Sequence, residues 1–342
     1  MVTGFRNSIT DVPGLKVGNS HDATLMSGVS VLIGDAPMVA AVDARGGGTG
    51  TRDTDTLASS GTVDDVHAIV LSGGSAFGLS AATGVQSWLA ERGIGYRVRE
   101  ARVPIVPGAI LFDLLNGGDK RWGASPPYEA LARRACDAAS LEVELGSTGA
   151  GFGAATVNLR GGLGSASEVM DDGTIVGALV AVNAVGSVTL GATATFWAAP
   201  FEHSAEFGAL PWPASLPAGV LEPRLKGAAG ESTTLAIVAT SARIDRRQAL
   251  RLAIMAQTGL ARAIYPVHTP LDGDVVFAVS TGATPAPEPV QGLARIGAVA
   301  ANVLARAVAR GVYHAAHVPP VWTGPPAWQE KFASQLNPPK AP

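Results

Sequence analysis

Short, uninterrupted apolar runs dominate this chain, and most are too short for helices. Val29–Ile33, Met38–Val42 and His67–Leu71 each read as a buried strand bounded by glycine or polar residues. Gly173 to Phe201 carries no charge and is long enough to span a bilayer. Asn183, Gly186, Ser187, Gly191, Thr193 and Thr195 interrupt it, however. The segment is therefore expected to form two buried strands, Thr174–Val182 and Ser187–Phe196, joined near Asn183–Gly186. Thr234–Thr240 and Val275–Ser280 complete the strand set.

Helical spacing is found in four places. Ala76–Arg92 closes at Gly93 as a C-cap. A second helix opens at Ser125 with Pro126 in its first turn and runs to about Ala139. A third begins near Asp245 and gathers Ala249, Leu252, Ala253, Ala256 and Leu260 on one face; a fourth, Val290–Arg310, does the same with Leu293, Ile296, Val299, Val303 and Leu304. These stripes are core-packing faces. Strands and helices alternate without a regular βαβ period, which predicts stacked sheets covered by helices, an α+β fold in layers.

Two stretches break the pattern. His203–Ser232 has four prolines and little periodicity, and it stops abruptly at the strand TTLAIVAT. Structureless connections of this length are uncommon inside compact domains. The tail Val318–Pro342 is proline-rich and expected to be extended.

Composition narrows the function. Glycine supplies 42 of 342 residues, well above the usual ~7 %. Charged residues make up only 15 %, which excludes a disordered chain. A net charge of −3 and a pI near 6.1 leave no basic footprint for nucleic acid. The N-terminus has no apolar core of signal-peptide length and no membrane helix is predicted, so a cytoplasmic protein is expected. The single cysteine, Cys136, rules out a disulfide framework.

Several familiar chemistries fail on spacing. Of the six histidines only His314 and His317 lie close, at i and i+3, and with no HExxH or Cys/His cluster a zinc site is not expected; His268 in PVHTPLDGD reads as a hydrogen-bonded structural histidine. Gly149-Ala-Gly151-Phe-Gly153-Ala154 fits a dinucleotide fingerprint, but the helix that should follow is replaced by the glycine-broken VNLRGGLGSAS. No G-x-S-x-G elbow occurs. Asp272-Gly273-Asp274 remains, just before the strand VVFAV. It reads either as a plain turn or as two carboxylates converging on one point, since residues i and i+2 share a side in extended chain.

An ordered set of motifs resembles a known family, the DmpA/NylC-like self-processing N-terminal-nucleophile hydrolases. The likeness rests on Asn7-x-Ile9-Thr10-Asp11-Val12 with Val17-Gly18, Asp43-x-Arg45-Gly46-Gly47, and Leu71-Ser72-Gly73-Gly74-Ser75. It continues through Gly161–Ser167, Val182-Asn183-x-x-Gly186, Thr233-Thr234 and Asp272-Gly273-Asp274. The resemblance implies a four-layer αββα sandwich, similar to that of ornithine acetyltransferase. It also implies a chain that cuts itself at Ser232–Thr233, giving an α-chain of residues 1–232 and a β-chain of residues 233–342 within one structural domain. Thr233 would be the nucleophile with its new α-amine as base, Asn183 the oxyanion donor, and Asp272 and Asp274 the pair that orients the threonine. No cofactor and no metal are implied, and a tetramer of cut chains is expected.

Two positions depart from the family pattern. Where the polyamide-hydrolysing branch has a lysine after the GAGxxA loop, this chain has Asn158; either Asn158 does the hydrogen bonding alone or Arg160 replaces the charge. A family tyrosine falls at or near Phe112, which has no hydroxyl. Thr233 with Asp-x-Asp resembles the branch that hydrolyses linear amide oligomers such as those of 6-aminohexanoate. The alternatives are an L-aminopeptidase/D-amidase-esterase or β-peptidyl aminopeptidase, and acyl transfer of the ornithine acetyltransferase kind.

Overall fold

The computed structural model describes residues 2–227, 232–316 and 320–336. Seven main strands are β1 (Leu15–Asp22), β2 (Ser27–Ala44), β3 (Asp65–Ser72), β4 (Gly162–Val169), β5 (Ile175–Asn183), β6 (Thr233–Ala242) and β7 (Val275–Thr284). They pair in the order β4-β5-β6-β7-β2-β3, with β1 beside β2. Neighbours along this path are antiparallel except β6 and β7, which run parallel.

β2 joins two sheets. Val29–Ile33, Met38 and Val39 pair with β3, and Val39–Ala44 pair with Val275–Ser280 of β7; the register against β3 shifts between Ile33 and Met38. The two short runs visible in the sequence are thus one bent strand, broken at Gly34–Pro37 where Pro37 lacks the N–H a ladder needs.

Alternation along the strands builds three cores and hence four layers. Leu235, Ile237 and Ala239 of β6 meet Leu32 of β2 and Ile69 and Leu71 of β3 between the sheets. Ala236 and Val238 point the other way, onto α3 (Arg246–Ala263) and α4 (Gln291–Tyr313). Val29 and Val31 of β2 and Ala68 and Val70 of β3 pack beneath α1 (Ala81–Ala90) and α2 (Tyr128–Asp137). The order α, β, β, α is the sandwich expected above. α4 is long and apolar enough to cross a membrane, but 72 % of its most apolar window is buried inside this core.

Four local expectations are corrected. Ser187–Phe196 is not a strand: the Ser187 hydroxyl takes over backbone partners at Thr189, and a Leu190–Thr195 turn closes around Gly191 at φ +58. α1 is preceded by a 3₁₀ segment, Ser75–Ser80, so the α-helix proper is shorter than the pattern implied. α2 begins at Tyr128, because Ser125 and Pro126 each precede a proline and are steered away from helical backbone. The tail is not wholly extended: Trp328–Leu336 forms α5, with Trp328 buried. The segments 317–319 and 337–342 of that tail lie outside the described residues.

The glycine-broken Gly162–Val169 turns out to be a strand. A Cβ at Gly164 would lie 1.9 Å from the Ala307 carbonyl oxygen, so glycine here lets α4 sit directly on the sheet backbone.

Candidate active site

The lengths of three apolar runs place the site. β5, β6 and β7 are buried on both faces, so polar residues collect where the runs begin or end. Asn183 ends β5 and Thr233 opens β6, directly opposite each other in register. Asp272-Gly273-Asp274 leads into β7, and Ser232 bridges to Asp272. All of Ser232, Thr233, Asn183, Asp272 and Asp274 are buried.

The Thr233 hydroxyl donates to the Ser232 carbonyl oxygen at 2.6 Å. The Gly273 N–H donates to the same oxygen at 2.8 Å. A Cβ at Gly273 would fall 2.5 Å from Thr233 Oγ1, so only glycine keeps this N–H beside the hydroxyl. The carbonyl ahead of Thr233 is thereby polarised by two donors, with a hydroxyl oxygen adjacent to it.

The two carboxylates take different partners. Asp274 accepts from Thr234 N–H at 2.7 Å and from His268 N–H at 3.2 Å, and lies 2.9 Å from His268 Nδ1. His268, expected to be a hydrogen-bonded structural histidine, is held against Asp274 by a left-handed backbone at φ +56. Asp272 accepts from Thr269 N–H and Oγ1 at 2.9 and 3.0 Å and from Val185 N–H at 3.2 Å. Burial, and then the charge of Asp274, push the Asp272 carboxyl above its ordinary value despite those hydrogen bonds. The glycine loop after Asp43 supports the turn from outside: Arg45 N–H reaches Asp274 O and Gly48 N–H reaches Asp272 O.

Asn183 faces a cleft of about 190 Å³ lined by Phe112, Asp113, Ala155, Lys226 and Trp322 among others. Its Oδ1 accepts from Ala155 N–H at 3.0 Å and Lys226 Nζ at 2.9 Å; its Nδ2 donates to Phe112 O at 3.0 Å. Phe112 thus meets Asn183 through its backbone carbonyl. Asp113 is fully buried at the cleft wall, and burial pushes its carboxyl upward. A larger hollow of about 630 Å³ around Thr24, Asp119 and Lys120 shares no lining residue with this cleft.

Asn158 and Arg160, the two candidates for the missing lysine's role, have other partners. Asn158 ties down the Ser187–Gly191 loop, donating to Gly191 O at 3.2 Å and to Thr189 Oγ1 at 3.4 Å. Arg160 lies behind the cleft wall, with Nη2 on Phe152 O at 2.7 Å and its guanidinium 4.5 Å from the Trp322 ring. Burial lowers its pKa to about 10. The cation beside Asn183 is Lys226, from the aperiodic stretch ahead of Thr233. The only cue in the sequence is a lysine seven residues before a buried threonine. The Gly149–Gly153 fingerprint opens no α-helix; Gly149–Gly151 is a single 3₁₀ turn, and Gly153 lines the cleft. Among the described residues, no three metal-ligating side chains come together.

Layering and site together define the class: this is the N-terminal-nucleophile hydrolase fold. The L-aminopeptidase D-Ala-esterase/amidase of Ochrobactrum anthropi, a variant of that fold, matches with a TM-score of 0.72 over 98 % of this chain and 94 % of that one, at 21 % identity. A Burkholderia sp. β-aminopeptidase matches with a TM-score of 0.67 over 93 % and 89 %, at 22 % identity. Within the class, the chain belongs to peptidase family S58, whose pattern matches residues 7–321. It is 40 % identical to an uncharacterized aminopeptidase of Mycobacterium tuberculosis (strain ATCC 25618 / H37Rv), over 95 % of this chain and 98 % of the relative. It is 31 % identical to the 6-aminohexanoate-oligomer endohydrolase of Kocuria sp. (strain KY2), over 82 % of this chain and 76 % of the relative. The protein is a hydrolase of peptide or amide bonds.

Proposed function

We propose that the protein is a self-processing threonine amidohydrolase that acts on linear amide oligomers. The observation that carries this reading is the Thr233 hydroxyl 2.6 Å from the Ser232 carbonyl oxygen, beside the N–H of Gly273, whose chain neighbours are the buried Asp272 and Asp274. In the uncut chain, Thr233 Oγ1 attacks the Ser232 carbonyl carbon. The developing negative charge falls on the oxygen already held by Gly273 N–H. The C–N bond breaks, Thr233 nitrogen takes the proton, and an ester joins the Ser232 acyl group to Thr233 Oγ. Water then opens the ester, leaving a carboxylate on Ser232 and a free amine on Thr233.

That amine, with a reference pKa of about 7.7–8.0, can accept the hydroxyl proton near neutral pH. No histidine triad is needed. Asp274 anchors Thr234 N–H and so fixes the chain direction at the nucleophile; Asp272 anchors Val185, two residues past Asn183. Asn183 Nδ2 supplies the donor for a substrate oxyanion. The Kocuria relative's name, together with Thr233 and Asp-x-Asp, supports amide oligomers of the 6-aminohexanoate type as substrate.

The name of the Mycobacterium relative favours a second reading, removal of N-terminal residues from peptides. Purified protein assayed on linear 6-aminohexanoate oligomers and on aminoacyl anilides separates the two. Faster turnover of the oligomers, with internal cuts, is expected; turnover of the anilides alone would favour the aminopeptidase. An added amine that captures the acyl group in preference to water would indicate acyl transfer instead.

A further inference from the structure

We propose that Lys226, carried by the segment that leads into the cleavage bond, is a positioning residue. It fixes the Asn183 amide as a donor and keeps that segment part of the mature site. The inference rests on the reading of Thr233 as nucleophile and Asn183 as oxyanion donor.

An asparagine side chain can present either its oxygen or its NH₂ to a ligand, and only its partners decide which. Here the partners discriminate. A lysine ammonium and a backbone N–H can only donate, and both fall on Asn183 Oδ1, at 2.9 and 3.0 Å. The Phe112 carbonyl, which can only accept, takes Nδ2 at 3.0 Å. Turning the amide over would set its hydrogens against an ammonium and an N–H, and its oxygen against a carbonyl. The amide is thus locked with Nδ2 as its donating end, and an adjacent positive charge strengthens that hydrogen bond.

Lys226 is itself well held. Its ammonium also donates to Ala155 O at 2.6 Å and Asn183 O at 3.3 Å, and its backbone N–H donates to Val185 O at 3.0 Å. None of these contacts involves the Ser232–Thr233 bond. Cutting that bond therefore breaks none of them, and Lys226 of the α-chain stays in the cleft wall as a working part. Asn158, where the polyamide-hydrolysing branch has its lysine, ties down the Ser187–Gly191 loop, and the positive charge at Asn183 comes from Lys226 in another segment.

The test compares Lys226→Met and Lys226→Arg with the unmodified protein. Intact mass reads self-cleavage, thermal unfolding reads folding, and kcat and KM are measured on a 6-aminohexanoate oligomer or, if that is not turned over, on an aminoacyl anilide. Lys226→Met is expected to lose about 10–100-fold in kcat, the scale of one charge-assisted hydrogen bond, with KM changed less than about threefold. Lys226→Arg, which keeps a donor-only cation, is expected to recover most of that loss and serves as the readout if the methionine variant does not fold. Unchanged kcat in Lys226→Met, or a higher kcat with a lower KM as for a removed plug, would overturn the assignment. Thr233→Ala separates the two levels. If it is uncut and inactive while Lys226→Met behaves as the parent, only the lysine's role falls; if it still cuts and hydrolyses, the underlying reading falls.

Discussion

Asn183 and Thr233 are directly opposed residues at the ends of two antiparallel strands, so the hydroxyl and the amide that would serve one carbonyl are held by the same ladder. Rigid placement on sheet backbone is what makes a single donor effective. Asn183→Leu should fold and lower kcat by about 10²–10³, with kcat/KM falling equally. Steady-state kinetics on the processed variant checks this, and a change confined to KM would assign Asn183 to ground-state binding.

The carboxylate pair predicts a specific titration. Asp272 is raised first by burial and next by the charge of Asp274. Removing that charge favours the ionised form of Asp272. In an uncut Thr233→Ala background, Asp274→Asn should move the Asp272 carboxyl titration, followed by ¹³C NMR, to lower pH. No movement would mean the two groups do not interact.

Glu206, which does not line the cleft, gives a pH dependence of stability. It lies at the start of the aperiodic segment, with Arg306 Nη2 at 3.0 Å, Asn7 Nδ2 at 2.6 Å and Arg310 Nε at 3.5 Å. Burial alone would raise its carboxyl, but the hydrogen bonds of Arg306 and Asn7 and the charges of Arg306 and Arg310 together outweigh it, and its pKa is lowered. A depressed carboxyl contributes stability that is present above the unfolded value of about 4.3 and is lost as pH falls through the folded one. Glu206→Gln removes the nearer of two carboxylates from the buried Arg306, which keeps Glu168 at 3.9 Å and the Ser167 carbonyl, and should cost about 1.5–3 kcal/mol at pH 7 in urea unfolding. The difference from the parent should shrink on acidification; a constant difference would contradict the linkage.

Gly164 tests the packing of α4. An added methyl would meet the Ala307 carbonyl, so Gly164→Ala should destabilise by about 1–3 kcal/mol through displacement of the helix. An unchanged melting temperature would show that the sheet and α4 have room to spare.

The strands that carry the site were legible because their signal is local. Thr174–Val182, Thr234–Thr240 and Val275–Ser280 differ from the observed β5, β6 and β7 only at their ends, since a run buried on both faces is apolar throughout. Thr233, Asn183, Asp272 and Asp274 are brought together in the sequence only by the family resemblance; the local pattern marks each as a polar residue where a run begins or ends and says nothing of their meeting. Gly162–Val169 was not legible, because its glycines answer to the backbone of α4 and not to strand propensity. Ser187–Phe196 misled, because serine and threonine hydroxyls there replace ladder hydrogen bonds. Lys226 lies in a stretch without periodicity. Where its ammonium lands depends on the tertiary path of that stretch, which no local pattern encodes.

The most direct test is the intact mass of the purified protein beside its Thr233→Ala variant, with amide hydrolysis assayed on both. Two polypeptides, residues 1–232 and a second beginning at Thr233, together with a variant that stays whole and inert, are the predicted result. A whole chain that hydrolyses amides as fast as any cut material would contradict it.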